Sequence, residues 1–332
     1  MRRTEDAVEA LLEKAAPRPA PPAADERVVR EAVMAEWRAA TGRVAQRKRM
    51  TWFAVAATVL LGTVIGLNSL RVDSTLPEQV ATIDTDRGSI FLVGERSLLQ
   101  EMSALSAVYA GQVIETGDDG GLSLAWGGGG SLRIDKKTRV EFTSGTSVYL
   151  RFGQIYFDSG SAAVAAITGS ALEIDTDHGR VRHLGTQYMT TVEGQDLIVR
   201  VREGRVSVDG NLAAEAVAWA GQQMTISGGA RAETLSIDGY GAIWAWVEAL
   251  APAADMQGRS TYEFLQRVSR ETGLALDFET PEAEAEARSG VLVGSIDTDP
   301  RSELALRMAG EDLDYRIDGG TIYVSIDRDD NP

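Results

Sequence analysis

Few residues in this chain are equipped for chemistry. Its 332 positions include no cysteine, which removes disulfides, thiolate metal sites and thiol catalysis. The two histidines, His178 and His183, are an odd number of positions apart. On one continuous strand they point to opposite faces and do not share a metal. Ile-Asp-Thr-Asp recurs at 83–86, 174–177 and 296–299, but a calcium loop needs more oxygen ligands and a glycine at fixed offsets, so turns account for these acidic pairs better. The glycine run 127–130 lacks the Lys-Ser/Thr end and the following helix of a phosphate loop. No nucleophile, base and acid group together, so a hydrolase is not expected. Neither a cofactor nor a metal is called for.

The elements that must position any site fall into four stretches. Residues 50–70, MTWFAVAATVLLGTVIGLNSL, carry no charge over 21 positions, which is long enough for one helix to cross a bilayer. Arg43, Arg47, Lys48 and Arg49 precede the run, and Asp73, Glu78, Asp84 and Asp86 follow it. The positive-inside rule then predicts a single span with residues 1–49 cytoplasmic and residues 71–332 outside. The net charge of −16 divides at this run: residues 1–49 hold 11 basic and 8 acidic side chains, and the rest hold 22 and 41. The basic part faces the lipid of the inner leaflet. A nucleic-acid partner is not expected from so acidic a remainder.

Residues 1–49 are too few for a core of their own. Four prolines between 17 and 22 separate a short helix at 4–14 from a second helix that Asp25 would cap. Along the second, Val29, Val33, Trp37, Ala40 and Val44 recur every three or four positions and form one apolar stripe, which needs a partner groove or a membrane surface.

From about residue 80 to 237 the period changes to two. Leu122, Leu124 and Trp126 alternate with Ser123 and Ala125, Val148, Leu150 and Phe152 with Tyr149 and Arg151, and Leu197, Val199 and Val201 with Ile198, Arg200 and Arg202. This pattern predicts many short strands, each with one buried face, in a sandwich, barrel or solenoid. A glycine motif returns at irregular intervals: Gly-Gln-Val at 111–113, Gly-Gln-Ile at 153–155, Gly-Arg-Val at 204–206 and Gly-Gln-Gln at 221–223. It suggests stacked similar units. After residue 238 a small α+β unit is expected. Trp244, Val247 and Leu250 mark a short helix face, and residues 261–272 a helix capped by Ser260. Strands follow at 274–278 and 291–296, separated by an acidic, alanine-rich insertion at 280–289. A helix at 301–309 opens after Pro300, and a hairpin at 313–326 turns on Asp318-Gly319-Gly320.

Residues 181–208, VRHLGTQYMTTVEGQDLIVRVREGRVSV, resemble the core of the FecR-type regulators, single-pass anti-sigma factors of the Gram-negative inner membrane. The shared features are an apolar residue before Gly-Thr (Leu184, Gly185, Thr186), an alternating strand, a hydrophobic strand and Glu-Gly-x-Val-x-Val (203–208). The resemblance implies a mainly β chain with a single transmembrane helix. Its parts would be a helical cytoplasmic tail (1–49), a span (50–70), a periplasmic β-solenoid or sandwich-like FecR domain (71–238), a small α+β unit resembling the secretin/TonB short N-terminal fold (239–327) and a disordered tail (328–332). It implies self-cleavage at Gly185–Thr186 by an N→O acyl shift, in which the threonine hydroxyl attacks the preceding carbonyl and the ester is hydrolysed; His183 would assist a proton transfer. It also implies four partners: an extracytoplasmic-function sigma factor held by Val29, Val33, Trp37 and Ala40, the signalling domain of a TonB-dependent outer-membrane transducer, site proteases that carry the signal, and membrane lipid. Regulation of iron transport is the family's usual output. The alternative is a membrane-anchored periplasmic binding or scaffold protein without a sigma partner. It stays open because the tail is shorter than the family's anti-sigma domain.

Overall fold

The computed structural model describes residues 30–32, 34–35, 77–94, 99–101, 106–160, 172–210, 215–228, 231–296, 299–309 and 312–327. The chain divides into two compact units, Met1–Thr75 and Leu76–Pro332. In the first, residues 30–32 and 34–35 are helical. The expected span at 50–70, the stripe residues Val29, Val33, Trp37 and Ala40, and the tail at 328–332 lie outside the described residues. Among the described residues no helix is long and apolar enough to cross a membrane.

The second unit opens as a mainly β body. Five short strands, β1 (Gln79–Arg87), β2 (Ile90–Val93), β3 (Leu99–Glu101), β4 (Ala107–Tyr109) and β5 (Val113–Thr116), lead to the hairpin of β6 (Gly121–Trp126) and β7 (Ser131–Ile134). The glycine run 127–130 is the turn of that hairpin. Then come β8 (Arg139–Ser144), the long β9 (Ser147–Asp158), β10 (Glu173–Thr176), the long β11 (Gly179–Glu193) and β12 (Asp196–Asp209), and the closing strands β13 (Ala216–Trp219), β14 (Gln222–Ser227) and β15 (Arg231–Ser236).

These strands join into one large mixed sheet, because the long strands change partners part-way. β9 pairs with β8 and, in parallel, β10 along its first half, then with β7 and β11 along its second. β12 pairs with β14 before residue 202 and with β13 after 204. The recurring glycine marks the changes: Gly111, Gly153, Gly204 and Gly221 all have φ between +78° and +91°, a region other residues reach only at a cost. Bent this way, the sheet wraps a single core of Leu122, Leu132, Phe142, Leu150, Phe157, Val181, Leu197 and Val206, among others.

One expectation fails at such a bend. Phe152 continues the apolar alternation of Val148 and Leu150, yet it is 41% exposed. The register slips at this point, with Arg139 opposite Phe152 and Val140 opposite Leu150, and the extra residue turns the phenyl ring outward. Beyond the bend, Ile155 and Phe157 face the core while Tyr156 and Asp158 are buried on the other face.

That second face is covered by the C-terminal part. A 3-10 turn (Ala242–Trp244) runs into α1 (Ala245–Ala249), and Trp244 and Val247 pack with Tyr156 and Met189. β16 (Ala254–Asp255) follows. Then α2 (Thr261–Thr272) starts at a reciprocal Ser260/Glu263 capping box and stops at left-handed Gly273. β17 (Ala275–Phe278), α3 (Pro281–Ser289), β18 (Ser295–Ile296), α4 (Pro300–Met308), β19 (Leu313–Asp318) and β20 (Thr321–Ile326) complete it. The strands order as β17-β20-β19, with β16-β18 apart. Residues 280–289, expected as an insertion, are a true helix: Thr280 caps it, Pro281 opens it, and Ala283 and Ala287 bury one face. The strand expected at 291–296 shrinks to Ser295–Ile296 plus an isolated bridge from Val291 to Ser260. These elements share their own core around Phe264, Leu265, Val268, Leu304, Ile322 and Val324.

Candidate functional site

Gly185 and Thr186 sit in the middle of β11. In the pairing with β12, Leu184 lies opposite Arg205 and Gln187 opposite Glu203, so the two residues between face Gly204 alone. This is a β-bulge with a left-handed glycine in its first position, Gly185 at φ +58°. The opposing strand approaches so closely that a Cβ on Gly204 would fall 2.6 Å from Thr186 Cγ2 and nearer still to the Gly185 carbonyl oxygen. A second slip follows at once: Tyr188 pairs with Val201, leaving Arg202 as an extra residue. Arg202 swings onto the Trp244 ring, 4.4 Å from its centroid, and donates to the Gly239 and Glu271 carbonyls.

Thr186 is fully buried, and its Oγ1 has no hydrogen-bond partner among the described residues. A buried hydroxyl left unpaired costs free energy, and those of Tyr188 and Thr190 on the same strand are likewise without a partner among the described residues, so it is the left-handed glycine beside it that sets Thr186 apart. Its backbone, by contrast, is tightly held by Ser159. The Thr186 N–H donates to Ser159 Oγ at 2.8 Å. The Thr186 carbonyl accepts from the Ser159 N–H at 3.0 Å and from its Oγ at 3.2 Å. The scissile bond expected in this stretch would thus have a free nucleophile on one side and a hydroxyl at hydrogen-bond distance from the nitrogen that must leave.

His183 is buried between Phe157 and Tyr188, with ring centroids 5.0 and 5.3 Å away. Burial pushes it down to a pKa of about 4, so the ring is neutral near pH 7. Its Nε2 accepts from the Leu172 N–H at 3.1 Å. The proton is therefore on Nδ1, which has no partner among the described residues. With its acceptor nitrogen occupied, His183 is a packing wedge whose remaining polar atom, Nδ1–H, is a donor, the form in which it would assist a proton transfer. His183 and the 63%-exposed Leu184 line a cleft of about 700 Å³ together with Arg205 and Trp219. That cleft brings solvent space to the edge of the bulge.

The other glycine-threonine pairs differ in setting. Thr146 is exposed in the β8–β9 turn, Thr321 is half-buried beside the β19–β20 turn, and Gly62–Thr63 lies outside the described residues. Among the described residues no group of His, Asp and Glu could hold a metal ion.

Residues 112–207, which contain Ser159, the bulge and Gly204, match the family model described as FecR protein. This stretch is similar to the FecR family. No curated protein matches the sequence. Two crystal structures of a candidate anti-sigma factor from Parabacteroides distasonis, at 2.50 and 1.65 Å resolution, align with 64% of this chain. They are covered over 98% and 97% of their own length, at 15% and 16% identity and TM-scores of 0.34 and 0.35.

Residues outside the motif complete the environment of the bulge. Asp158 precedes Ser159 and is bonded by Arg270 of α2 and, at 2.9 Å, by Gln187. Burial opposes ionisation of Asp158, but the Arg270 charge and these hydrogen bonds outweigh it and hold the carboxyl below its usual value. Arg133, fully buried on β7, donates to Glu271 Oε2 at 2.6 Å and to the Val247 carbonyl at 2.8 Å. Gly204 was visible in the Glu-Gly-x-Val motif. Ser159, Arg270 and Arg133 were not, because their partners are 27 to 138 positions away and no local period announces them.

Proposed function

We propose that this chain is an anti-sigma regulator whose outer part cleaves itself at Gly185–Thr186. In this reading the stripe of Val29, Val33, Trp37 and Ala40 holds an extracytoplasmic-function sigma factor on the cytoplasmic side. Residues 50–70 span the inner membrane. The FecR domain and the α+β unit receive a signal from a TonB-dependent transducer, and site proteases act on the cleaved product. The observation that carries the cleavage reading is the buried Thr186 hydroxyl, without a partner among the described residues, beside a left-handed glycine. Thr186 Oγ1 adds to the Gly185 carbonyl carbon, the C–N bond breaks, and the hydroxyl proton passes to the departing nitrogen. Water then hydrolyses the ester, leaving a Gly185 carboxylate and restoring the threonine hydroxyl. Glycine suits the first step because it accepts the left-handed backbone and leaves its carbonyl uncovered.

Two measurements test this. Wild-type chain from native membranes is expected as two fragments on a denaturing gel and Thr186→Ala as one; an intact wild-type chain refutes self-cleavage. Full-length chain is expected to co-purify with a sigma factor, and Trp37→Asp to lose it. Recovery of no sigma factor with the wild type would favour the membrane-anchored binding or scaffold protein instead.

A further inference from the structure

Three chain segments meet at the Gly185–Thr186 bulge. Ser159 holds the Thr186 N–H and carbonyl, Gly204 lies where a Cβ would collide with the Gly185 carbonyl oxygen, and Gln187 is the next residue along β11. A single residue from outside the β body touches the neighbours of all three, two through its side chain and one through its backbone carbonyl. The Arg270 guanidinium of α2 bonds both oxygens of Asp158, the Gly160 carbonyl at 2.7 Å and Glu203 Oε2 at 2.8 Å. The Arg270 carbonyl accepts from Gln187 Nε2 at 3.2 Å. Residues 158 and 160 flank Ser159, Glu203 precedes Gly204, and Gln187 follows Thr186.

We propose that Arg270 is a positioning residue for the Gly185–Thr186 reaction, so that the docked α+β unit makes the bond competent to rearrange. The inference rests on the self-cleavage reading above and adds its control. An N→O shift needs the hydroxyl, the carbonyl and the departing nitrogen held together in one unfavourable geometry. The bulge supplies that geometry only while β9, β11 and β12 keep their register. Bulges are weak points of a sheet, since the extra residues make no ladder bonds. Here a planar five-donor fork spans the strand ends on both sides of the bulge, a task a single-point ammonium performs poorly. The fork comes from α2, which belongs to the other core. A partner that pulled α2 away from the β body would therefore release all three segments at once.

The test follows cleavage of the full chain by pulse-chase, with thermal unfolding recorded for each variant. Arg270→Ala is expected to slow fragment appearance at least tenfold and Arg270→Lys to recover part of that loss. Arg301→Ala, which breaks a different ion pair between α4 and Glu248 of α1, is expected to cleave at the wild-type rate. Hydroxylamine attacks the ester, so it speeds cleavage of the wild type if ester hydrolysis is slow. It should not rescue Arg270→Ala if the acyl shift itself is impaired. Should Arg270→Ala fail to fold, Glu203→Gln, at the exposed end of the fork, is expected to slow cleavage about threefold. A folded Arg270→Ala, or Glu203→Gln in its place, that cleaves at the wild-type rate overturns the positioning role, and so does equal slowing by Arg301→Ala. A wild-type chain that never cleaves overturns the self-cleavage reading and this inference with it.

Discussion

The β body contains the same arrangement twice, and only the second copy has a reactive look. In the first, Lys137 takes φ +53° and Thr138 follows it, fully buried. Gly153 packs against the pair so closely that a Cβ there would fall 2.5 Å from Thr138 Cα and 2.6 Å from the Lys137 carbonyl oxygen. The Thr138 N–H donates to the hydroxyl of Thr116 at 3.0 Å, and the Thr116 N–H donates to the Thr138 carbonyl at 2.9 Å. Replace these residues by Gly185, Thr186, Gly204 and Ser159 and the description of the candidate site is recovered. The copies differ at the threonine hydroxyl. Thr138 Oγ1 accepts from the Gln154 N–H at 3.0 Å and reaches the Lys136 and Gln154 carbonyls at 3.1 and 3.3 Å, whereas Thr186 Oγ1 has no partner among the described residues. They differ also in the left-handed residue, a lysine in one and a glycine in the other. The common geometry is therefore a device for bending strands, and the freed hydroxyl is what the second copy adds.

The largest effect tests the shared part. Gly153→Ala and Gly204→Ala each force a Cβ into a neighbour's backbone at positive φ, and each is expected to cost about 3 kcal/mol or more, read as a shift of the urea midpoint at constant slope. If only one of them destabilises, the two copies are not equivalent and the comparison breaks.

Those glycines were legible beforehand, because a positive φ between strands leaves few alternatives to glycine and the Gly-[Gln/Arg]-[Val/Ile] spelling repeated. Their common structural meaning was not, since Thr116 and Ser159 approach from strands distant in sequence. The alternation placed the core strands well where one face is covered. It misled at Phe152, where a register slip reverses the side chain. It was uninformative beyond Gly153, where Tyr156 and Asp158 are covered by two different helices more than 80 positions downstream. The α3 helix was readable from Thr280-Pro281, but an alternation of Glu and Ala hid its buried stripe of Ala283 and Ala287.

Acid sharpens the contrast next. His183 and Asp135 occupy matching positions, each two residues before the left-handed one. Burial holds the folded His183 pKa at about 4 against an ordinary 6.5. Between those values the unfolded chain binds a proton that the folded chain does not, so stability falls as pH drops from about 6.5 to 4 and is unaffected by this group above that window. The loss amounts to about 3 kcal/mol when complete. His183→Phe is expected to flatten the stability curve across that window by this amount; a curve parallel to the wild type would mean that His183 protonates freely in the fold.

The hydroxyls themselves give a smaller and more pointed difference. Thr138→Val removes three hydrogen-bond contacts and strands the Gln154 N–H, at an expected cost of about 1–3 kcal/mol. Thr186→Val removes a hydroxyl that has no hydrogen bond among the described residues, and its stability should stay within about 0.5 kcal/mol of the wild type or rise. Equal losses at the two sites would show that Thr186 has a partner after all, and the case for a poised nucleophile would weaken accordingly.

The smallest effect on stability carries the finest distinction. Lys137→Gly relieves a left-handed lysine, worth up to about 1 kcal/mol before the added freedom of the unfolded chain is counted. The Lys137–Asp118 ion pair it removes is exposed on both sides and contributes little. The substitution also creates a glycine-threonine pair at 137–138, inside the same bulge-like frame as the candidate bond. If a dipeptide in a strained frame were enough, this variant would yield a new fragment cut between 137 and 138. The hydrogen bonds to Thr138 Oγ1 argue otherwise: the hydroxyl is already committed to Gln154 and would have to give up those bonds before attacking. The expected gel pattern is unchanged from the wild type. Cleavage should then appear only if the accepting backbone is also disturbed, which would locate the reactivity of the second copy in what its threonine lacks.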